Sequence, residues 1–246
     1  MDVPAASWLA DRRRSLRRIA VVTGAGISAE SGLPTFRGED ALWQGRNPME
    51  LFTPEALATR TRESWELFDR LRVLSARAEP NAGHRALAAL ARSHGVTLAT
   101  QNIDGLHQRA GSRDVLELHG TLWRLSCAGC GHAGVNETAP LPLLPPPCPA
   151  CGGPLRPDVV MFGEPLPADA LRAATRAAET CDLMLVVGTS GAVYPAAGLP
   201  AIARAYGALL VEINPAPTEL SAQMDYAARG TAAMLLPVIV RALRGD

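Results

Sequence analysis

Short runs of consecutive apolar residues alternate along the chain with longer stretches in which alanine and leucine recur at helical spacing. The runs at residues 19–23, 96–100, 115–118, 183–188 and 208–213 predict strands, and the stretches at 84–93, 168–180 and 195–206 predict helices between most of them. Strands apolar on both faces and separated by helices predict an α/β fold, a Rossmann-like parallel sheet with helices on both faces. Such sheets bind ligands at the carboxyl ends of their strands. Five polar or glycine-containing turns fall there, at residues 24–28, 101–104, 119–120, 188–190 and 214–215.

Two segments interrupt the alternation, a helical one at 41–79 and one rich in glycine, proline and cysteine at 121–157. They predict a smaller lobe inserted into a discontinuous large domain made of residues 1–40, 80–120 and 158–246, with a cleft between the two. No internal repeat is present, and PLPLLPPP at 140–147 reads as a stiff loop.

At 246 residues, 48% of them hydrophobic, the chain can bury the core of one α/β domain carrying an insert. Its 24 basic residues balance 24 acidic ones, so no global field draws nucleic acid or an anionic membrane. Every basic residue is arginine, which excludes a catalytic or Schiff-base lysine. The first twenty residues lack the apolar core of a secretion signal, and no uninterrupted apolar run reaches the roughly 18 residues of a membrane span. Their arginines would suit a transit peptide, but Asp2, Asp11 and the immediate start of a core strand favour a short helix on a cytoplasmic protein.

Cys127-x2-Cys130 and Cys148-x2-Cys151 stand seventeen residues apart, the spacing of a zinc ribbon. Four thiolates close a tetrahedral site and leave no position for a catalytic water, so the metal is expected to be structural. The alternative is two disulfides, which require an oxidising compartment. Cys181, alone before a strand, reads as a core residue.

The stretch IAVVTGAGISA at 19–29 fits the G-x-G-x-x-G/A turn of dinucleotide-binding folds, with the pyrophosphate expected at a helix N-terminus after the glycines. A hydride-transferring enzyme places an acidic residue on the ribose about twenty residues later, at a strand end. Here SGLPTFRGEDALWQGRNP follows instead, a loop suited to folding over a cofactor.

GAGISAESGLPTFRG at 24–38, TQNIDGLHQRAG at 100–111, ELHG at 117–120, the four cysteines, RPDVVMFGE at 156–164, GTS at 188–190 and INP at 213–215 occur in the order found in sirtuins. Over about residues 17–243 the chain resembles these NAD-dependent protein lysine deacylases. The resemblance implies that NAD is consumed as a co-substrate: the acyl-lysine carbonyl oxygen attacks the nicotinamide ribose, nicotinamide leaves and the acyl group ends on ADP-ribose. A mono-ADP-ribosyltransferase or NAD glycohydrolase would use the same pocket.

Carried over by position, the resemblance makes His119 the general base, Asn102 and Gln101 ribose and water contacts, and Asp104 the acid of the nicotinamide pocket. The implied cofactor contacts are Gly24, Ala25, Gly26, Ile27, Phe36, Arg37, Trp43, Gln101, Asn102, Ile103, Asp104, Gly188, Thr189, Ser190, Asn214, Pro215 and Ala232. Acyl-lysine proteins or peptides are the implied partners, bound as an added strand along residues 159–164, with Val160, Phe162 and Gly163 in contact. Ordinary turn, cap and core roles remain open for each. His84 reads as a helix-start residue and His107 as a brace behind the nicotinamide site. The oligomeric state is not legible, and a monomer is compatible.

Thr35 and EPNAGHRALAAL resemble the branch that removes succinyl and related acidic groups. That branch holds the acyl carboxylate with a tyrosine and an arginine after a Trp-Glu pair. After Trp65-Glu66 those positions hold Phe68 and Leu71, which read as an apolar acyl-pocket wall, with plain core residues as the alternative, and predict a preference for neutral acyl groups. Arg70 and Arg72 lie about 100° around the helix from Leu71.

Overall fold

The computed structural model describes residues 4–35 and 50–246. The helices are α1 (Pro4–Ala10), α2 (Pro54–Thr59), α3 (Thr61–Arg77), α4 (Ala82–Leu90), α5 (Leu106–Arg109), α6 (Ala168–Thr180), α7 (Leu199–Ala205) and α8 (Ala232–Arg244). The strands are β1 (Arg18–Thr23), β2 (Gly95–Thr100), β3 (Leu116–Glu117), β4 (Gly120–Cys127), β5 (Ala133–Val135), β6 (Leu155–Val159), β7 (Leu183–Val187), β8 (Leu209–Asn214) and β9 (Tyr226–Arg229).

Six strands form one parallel sheet in the order β3-β2-β1-β7-β8-β9. Because successive side chains of a strand point to opposite faces, Ile19 and Val21 of β1 pack with Leu87 and Leu90 of α4 and Leu236 and Ile239 of α8. Ala20 and Val22 face the other way, into a second core with Ala174 and Ala178 of α6 and Leu199 and Ala203 of α7. Both faces are therefore dry, as the unbroken apolar strands require. A charge lies within the sheet: Glu212 on β8 is fully buried and accepts from Arg229, Ser221 and Thr218.

From β1 the strand order runs outward both ways, through β2 to β3 and through β7 to β9. The gap between the carboxyl ends of β1 and β7 is thus the topological switch point, where such sheets take their ligands.

The remaining three strands form an antiparallel sheet, β5-β4-β6. A third core joins it to α2 and α3 through Phe52, Leu57, Trp65, Phe68, Leu122, Leu125 and Met161. Strand β4 begins one residue after His119, at Gly120, whose φ is +72° and whose absent Cβ would lie 2.1 Å from the Asp158 carbonyl oxygen. Only glycine fits this crossing from the parallel sheet into the small lobe.

Three elements differ from the sequence reading. The turn after Gly24 continues into two three-residue 3-10 turns, Ala25–Ile27 and Ala29–Ser31, so the expected helix N-terminus is absent. Residues 195–206 divide into a 3-10 turn, Ala196–Gly198, and α7. The strand expected over 159–164 stops at Val159, because the Glu164 carboxylate takes the Met161 amide and turns the chain.

Candidate active site

The turns at the carboxyl ends of β1, β2, β7 and β8 meet through short backbone and side-chain bonds. Gly26 N–H donates to the Gly188 carbonyl at 2.8 Å, and a Cβ at Gly24 or Gly26 would come within 2.9 Å of that same oxygen. Gly188 reciprocates, with φ +59° and a Cβ position 2.4 Å from the Ile27 nitrogen. These glycines are therefore required first for backbone-to-backbone packing across the switch point.

Thr189 links three strands: its hydroxyl accepts from the Gln101 amide at 3.0 Å, and its carbonyl accepts from the Asn214 amide at 3.0 Å. Ser190 is half-buried beside it and Pro215 exposed. Ala232 is buried at the start of α8, with its carbonyl pressed against Gly83. Ala25 is half-buried and Ile27 fully buried. Phe36, Arg37 and Trp43 lie outside the described residues.

His119 is half-buried at the end of β3, with Nδ1 3.0 Å from the Gln101 carbonyl oxygen. A carbonyl only accepts, so Nδ1 carries the proton and Nε2 keeps its lone pair free. Burial lowers the imidazole pKa, against an opposing pull from the same carbonyl, and holds the ring neutral near pH 7. A neutral imidazole with an available lone pair is what general-base work needs.

Behind it lies a buried polar network that composition and spacing did not reveal. Ser28 donates to the Asp104 carboxylate at 2.7 Å, accepts from Asn102 at 3.2 Å and stands 3.4 Å from Nε2 of His84. The Leu106 amide gives Asp104 a second donor at 2.8 Å. His84 also closes a capping box with Asn81 at the start of α4, as its helix-start reading expects. His107 binds Thr23 through Nε2 at 2.9 Å, Thr23 donates to Thr100, and Thr100 accepts the Asn102 amide. Nδ1 of His107 has no hydrogen-bond partner among the described residues. Burial lowers the pKa of His84 to about 4 and of His107 to about 3, so both are neutral supports of the turn.

In the small lobe the four sulfurs of Cys127, Cys130, Cys148 and Cys151 lie within 4.8 Å of one another, and the cysteines are free of disulfides. Cys127 to Cys151 and Cys130 to Cys148 are both 3.6 Å. A tetrahedron with Zn–S bonds of about 2.3 Å has sulfurs roughly 3.8 Å apart, so the donor set fits zinc. The Ala150 amide points at the Cys148 sulfur at 3.4 Å, as expected of a thiolate ligand. Cys181 is a buried core thiol whose pKa burial raises.

Among the described residues β6 pairs with no strand but β4, and its Leu155 amide donates to the Pro146 carbonyl at 2.9 Å. Beyond it, the Val160 amide binds the His119 carbonyl, Phe162 binds the Phe52 carbonyl, and Gly163, at φ +89°, faces open space. Arg156 grips both oxygens of Glu164, at 2.7 and 2.8 Å, and so fixes this turn.

Phe68 is fully buried between Phe52 and Trp65 and presents no surface, whereas Leu71 is half-buried. Arg70 is exposed, and Arg72 is turned wholly into the small lobe, where it binds backbone carbonyls.

A parallel sheet with this glycine-tight switch point, a histidine at its rim and a four-thiol ribbon beside it defines a dinucleotide-binding enzyme with an inserted metal lobe. The model of the Sir2 family matches residues 24–195, and the chain belongs to that family. It is 50% identical over 208 residues to an NAD-dependent protein deacylase of Aquifex aeolicus (strain VF5), covering 84% of this chain and 87% of that one. Among solved structures it is similar to a Sir2 homolog–NAD complex, with a TM-score of 0.90 and 42% identity over 97% of this chain and 94% of the other. A Sir2–p53 peptide–NAD+ complex gives a TM-score of 0.83 and 32% identity over 96% and 97%.

Proposed function

We propose that the chain is an NAD-dependent protein lysine deacylase that moves an acyl group from lysine to ADP-ribose and releases nicotinamide. The observation that carries this reading is the His119–Gln101 contact: a neutral ring just after β3, oriented by a backbone carbonyl, with its second nitrogen unbonded among the described residues. NAD supplies the electrophilic ribose carbon and the nicotinamide leaving group. Relatives of this chain carry the deacylase name, and a solved neighbour holds NAD.

His119 Nε2 is suited to take a proton from a ribose hydroxyl. Asn102 and Gln101 are assigned to the ribose and Asp104 to the carboxamide of nicotinamide, and Thr189, Ser190 and Asn214 to the adenosine side. The braced turn that follows β6 supports main-chain pairing with a peptide, and a solved neighbour binds a p53 peptide. The four cysteines would hold one structural zinc, which supplies rigidity to the ribbon. Residues 41–79 and 121–157 are assigned to the small domain and the rest to the large one. No helix among the described residues is long and apolar enough to cross a membrane.

Acyl choice is assigned to neutral chains. At the position of the branch's arginine stands Leu71, and Arg72, the buried neighbour, is fully engaged by carbonyls. Incubation with NAD and acetyl-lysine peptide tests the main reading. Nicotinamide released only when acyl-peptide is present supports it, and release at the same rate without peptide points to a glycohydrolase.

A further inference from the structure

Arg72 sits on α3 with no exposed surface and, among the described residues, no carboxylate in its hydrogen-bond partners. Its guanidinium donates to the carbonyls of Leu122, Asn136 and Thr138 and to the Asn136 side chain, the last three at 2.7–2.8 Å through one nitrogen. Part of this arrangement is structural, since an apolar side chain of similar volume would fill the space but leave the Leu122, Asn136 and Thr138 carbonyls without this donor. The contacts on the far side of its acceptors give it a different sense.

Leu122, whose carbonyl takes Arg72, donates its own amide to the Ile103 carbonyl at 3.0 Å. The next residue, Trp123, lies under the guanidinium with its ring centre 5.1 Å from Cζ, and its indole N–H donates to the Asp104 carbonyl at 2.7 Å. That indole also abuts Gly105: a Cβ there would lie 2.7 Å from the indole nitrogen, and φ is +78°. Two consecutive residues of β4 thus grip the turn Ile103-Asp104-Gly105, and one buried cation on α3 grips those two residues. The Asp104 side chain in turn is held by Ser28.

We propose that Arg72 and Trp123 are positioning residues that set the Ile103-Asp104-Gly105 turn from the small lobe, so that helix α3, which bears Leu71, is mechanically tied to the nicotinamide side of the cleft. This rests on the reading of Asp104 as the acid that faces nicotinamide. It makes the two halves of the site separable: disturbing the relay alters what the enzyme does with nicotinamide and leaves most of its grip on the ADP-ribose moiety intact, because that part is assigned chiefly to the turns after β1, β7 and β8, with only Gln101 and Asn102 of the β2 turn on its terminal ribose. A side chain needed only for folding would show no such division.

The test uses the full-length chain as wild type, Trp123→Phe, Arg72→Met, Arg72→Lys and the Trp123→Phe/Arg72→Met pair. Exchange of labelled nicotinamide into NAD in the presence of acyl-peptide, and inhibition by nicotinamide, are compared with the Kd for ADP-ribose. Trp123→Phe keeps an aromatic ring at this position while removing the indole N–H and the second fused ring, and circular dichroism establishes which variants are folded before they are compared. The expected result is a loss of about tenfold in exchange and in nicotinamide inhibition, with the ADP-ribose Kd within about twofold and the pair no worse than its more damaged single variant. Folded variants that exchange nicotinamide like wild type, or that lose ADP-ribose binding in the same proportion, overturn the relay. A wild-type protein that exchanges no nicotinamide removes the deacylase reading itself, and with it this inference.

Discussion

The Ser28 hydroxyl donates to the Asp104 carboxylate across 2.7 Å in a setting where Asp104 is 7% exposed. Burial pushes that carboxyl above the ordinary range, and the Leu106 amide, Ser28 and Arg109 pull it back down. Removing Ser28 leaves burial less opposed, so protonation should occur at higher pH. Ser28→Ala is therefore expected to raise the acidic limb of the kcat/KM profile for NAD. It should also cost about tenfold or more in activity, in line with the roughly 1.5–3 kcal/mol of a hydrogen bond to a charged group. Profiles across about pH 5 to 9 check this, and superposable acidic limbs contradict it.

His84 and His107 make the fold sensitive to acid. Both are buried and neutral, with pKa values of about 4 and about 3 against an ordinary 6.5. Below pH 6.5 the unfolded chain takes up protons that the folded one refuses. Stability is thus complete above that pH and falls as pH drops toward 4, by up to about 1.4 kcal/mol per pH unit for each histidine. Urea midpoints measured across this window should fall less steeply in His84→Asn than in wild type, whatever the variant's absolute stability. Equal slopes would remove His84 as a source.

The ribbon depends on all four thiolates. Cys130→Ser is expected to lower zinc content well below one per chain and to reduce deacylation with it, because the site loses one of its four ligands. Metal analysis and activity on the same preparation decide the matter: full zinc with full activity contradicts a role for Cys130.

The strands at 19–23, 96–100 and 183–188 were legible because both faces of the sheet are dry and leave an unbroken apolar run. Tyr226–Arg229 was not, since an edge strand of four half-polar residues carries no such signature. The rim residues could be read from motifs because each sits at a strand end. Ser28, Trp123 and Arg72 escaped notice for a physical reason: their partners Asp104 and Asn136 are 76, 19 and 64 residues away along the chain. No local pattern encodes a contact at that separation. The glycines at 24 and 26 illustrate a different limit, since the same letters serve backbone packing against Gly188 as readily as approach to a phosphate.

Acyl selectivity should follow from Leu71. A carboxylate-bearing acyl group entering here forgoes a charge-assisted hydrogen bond worth about 1.5–3 kcal/mol. Neutral chains lose no such partner. Deacetylation or longer neutral-chain removal is expected to exceed desuccinylation by about tenfold or more in kcat/KM, and Leu71→Arg is expected to narrow the ratio. Phe68→Tyr is a poorer probe, since it would bury a hydroxyl in a fully enclosed core. Wild-type protein that removes succinyl faster than every neutral group contradicts this assignment.

The fate of the acyl group tests the central claim most directly. A peptide carrying a deuterated acetyl-lysine is incubated with NAD and either wild-type protein or His119→Ala, and the products are weighed by mass spectrometry. The expected result is one labelled acetyl on ADP-ribose for each nicotinamide and each free lysine formed, with His119→Ala slower by a factor on the order of 100. Label recovered as free acetate while NAD remains intact, or turnover in His119→Ala equal to wild type, would contradict the account.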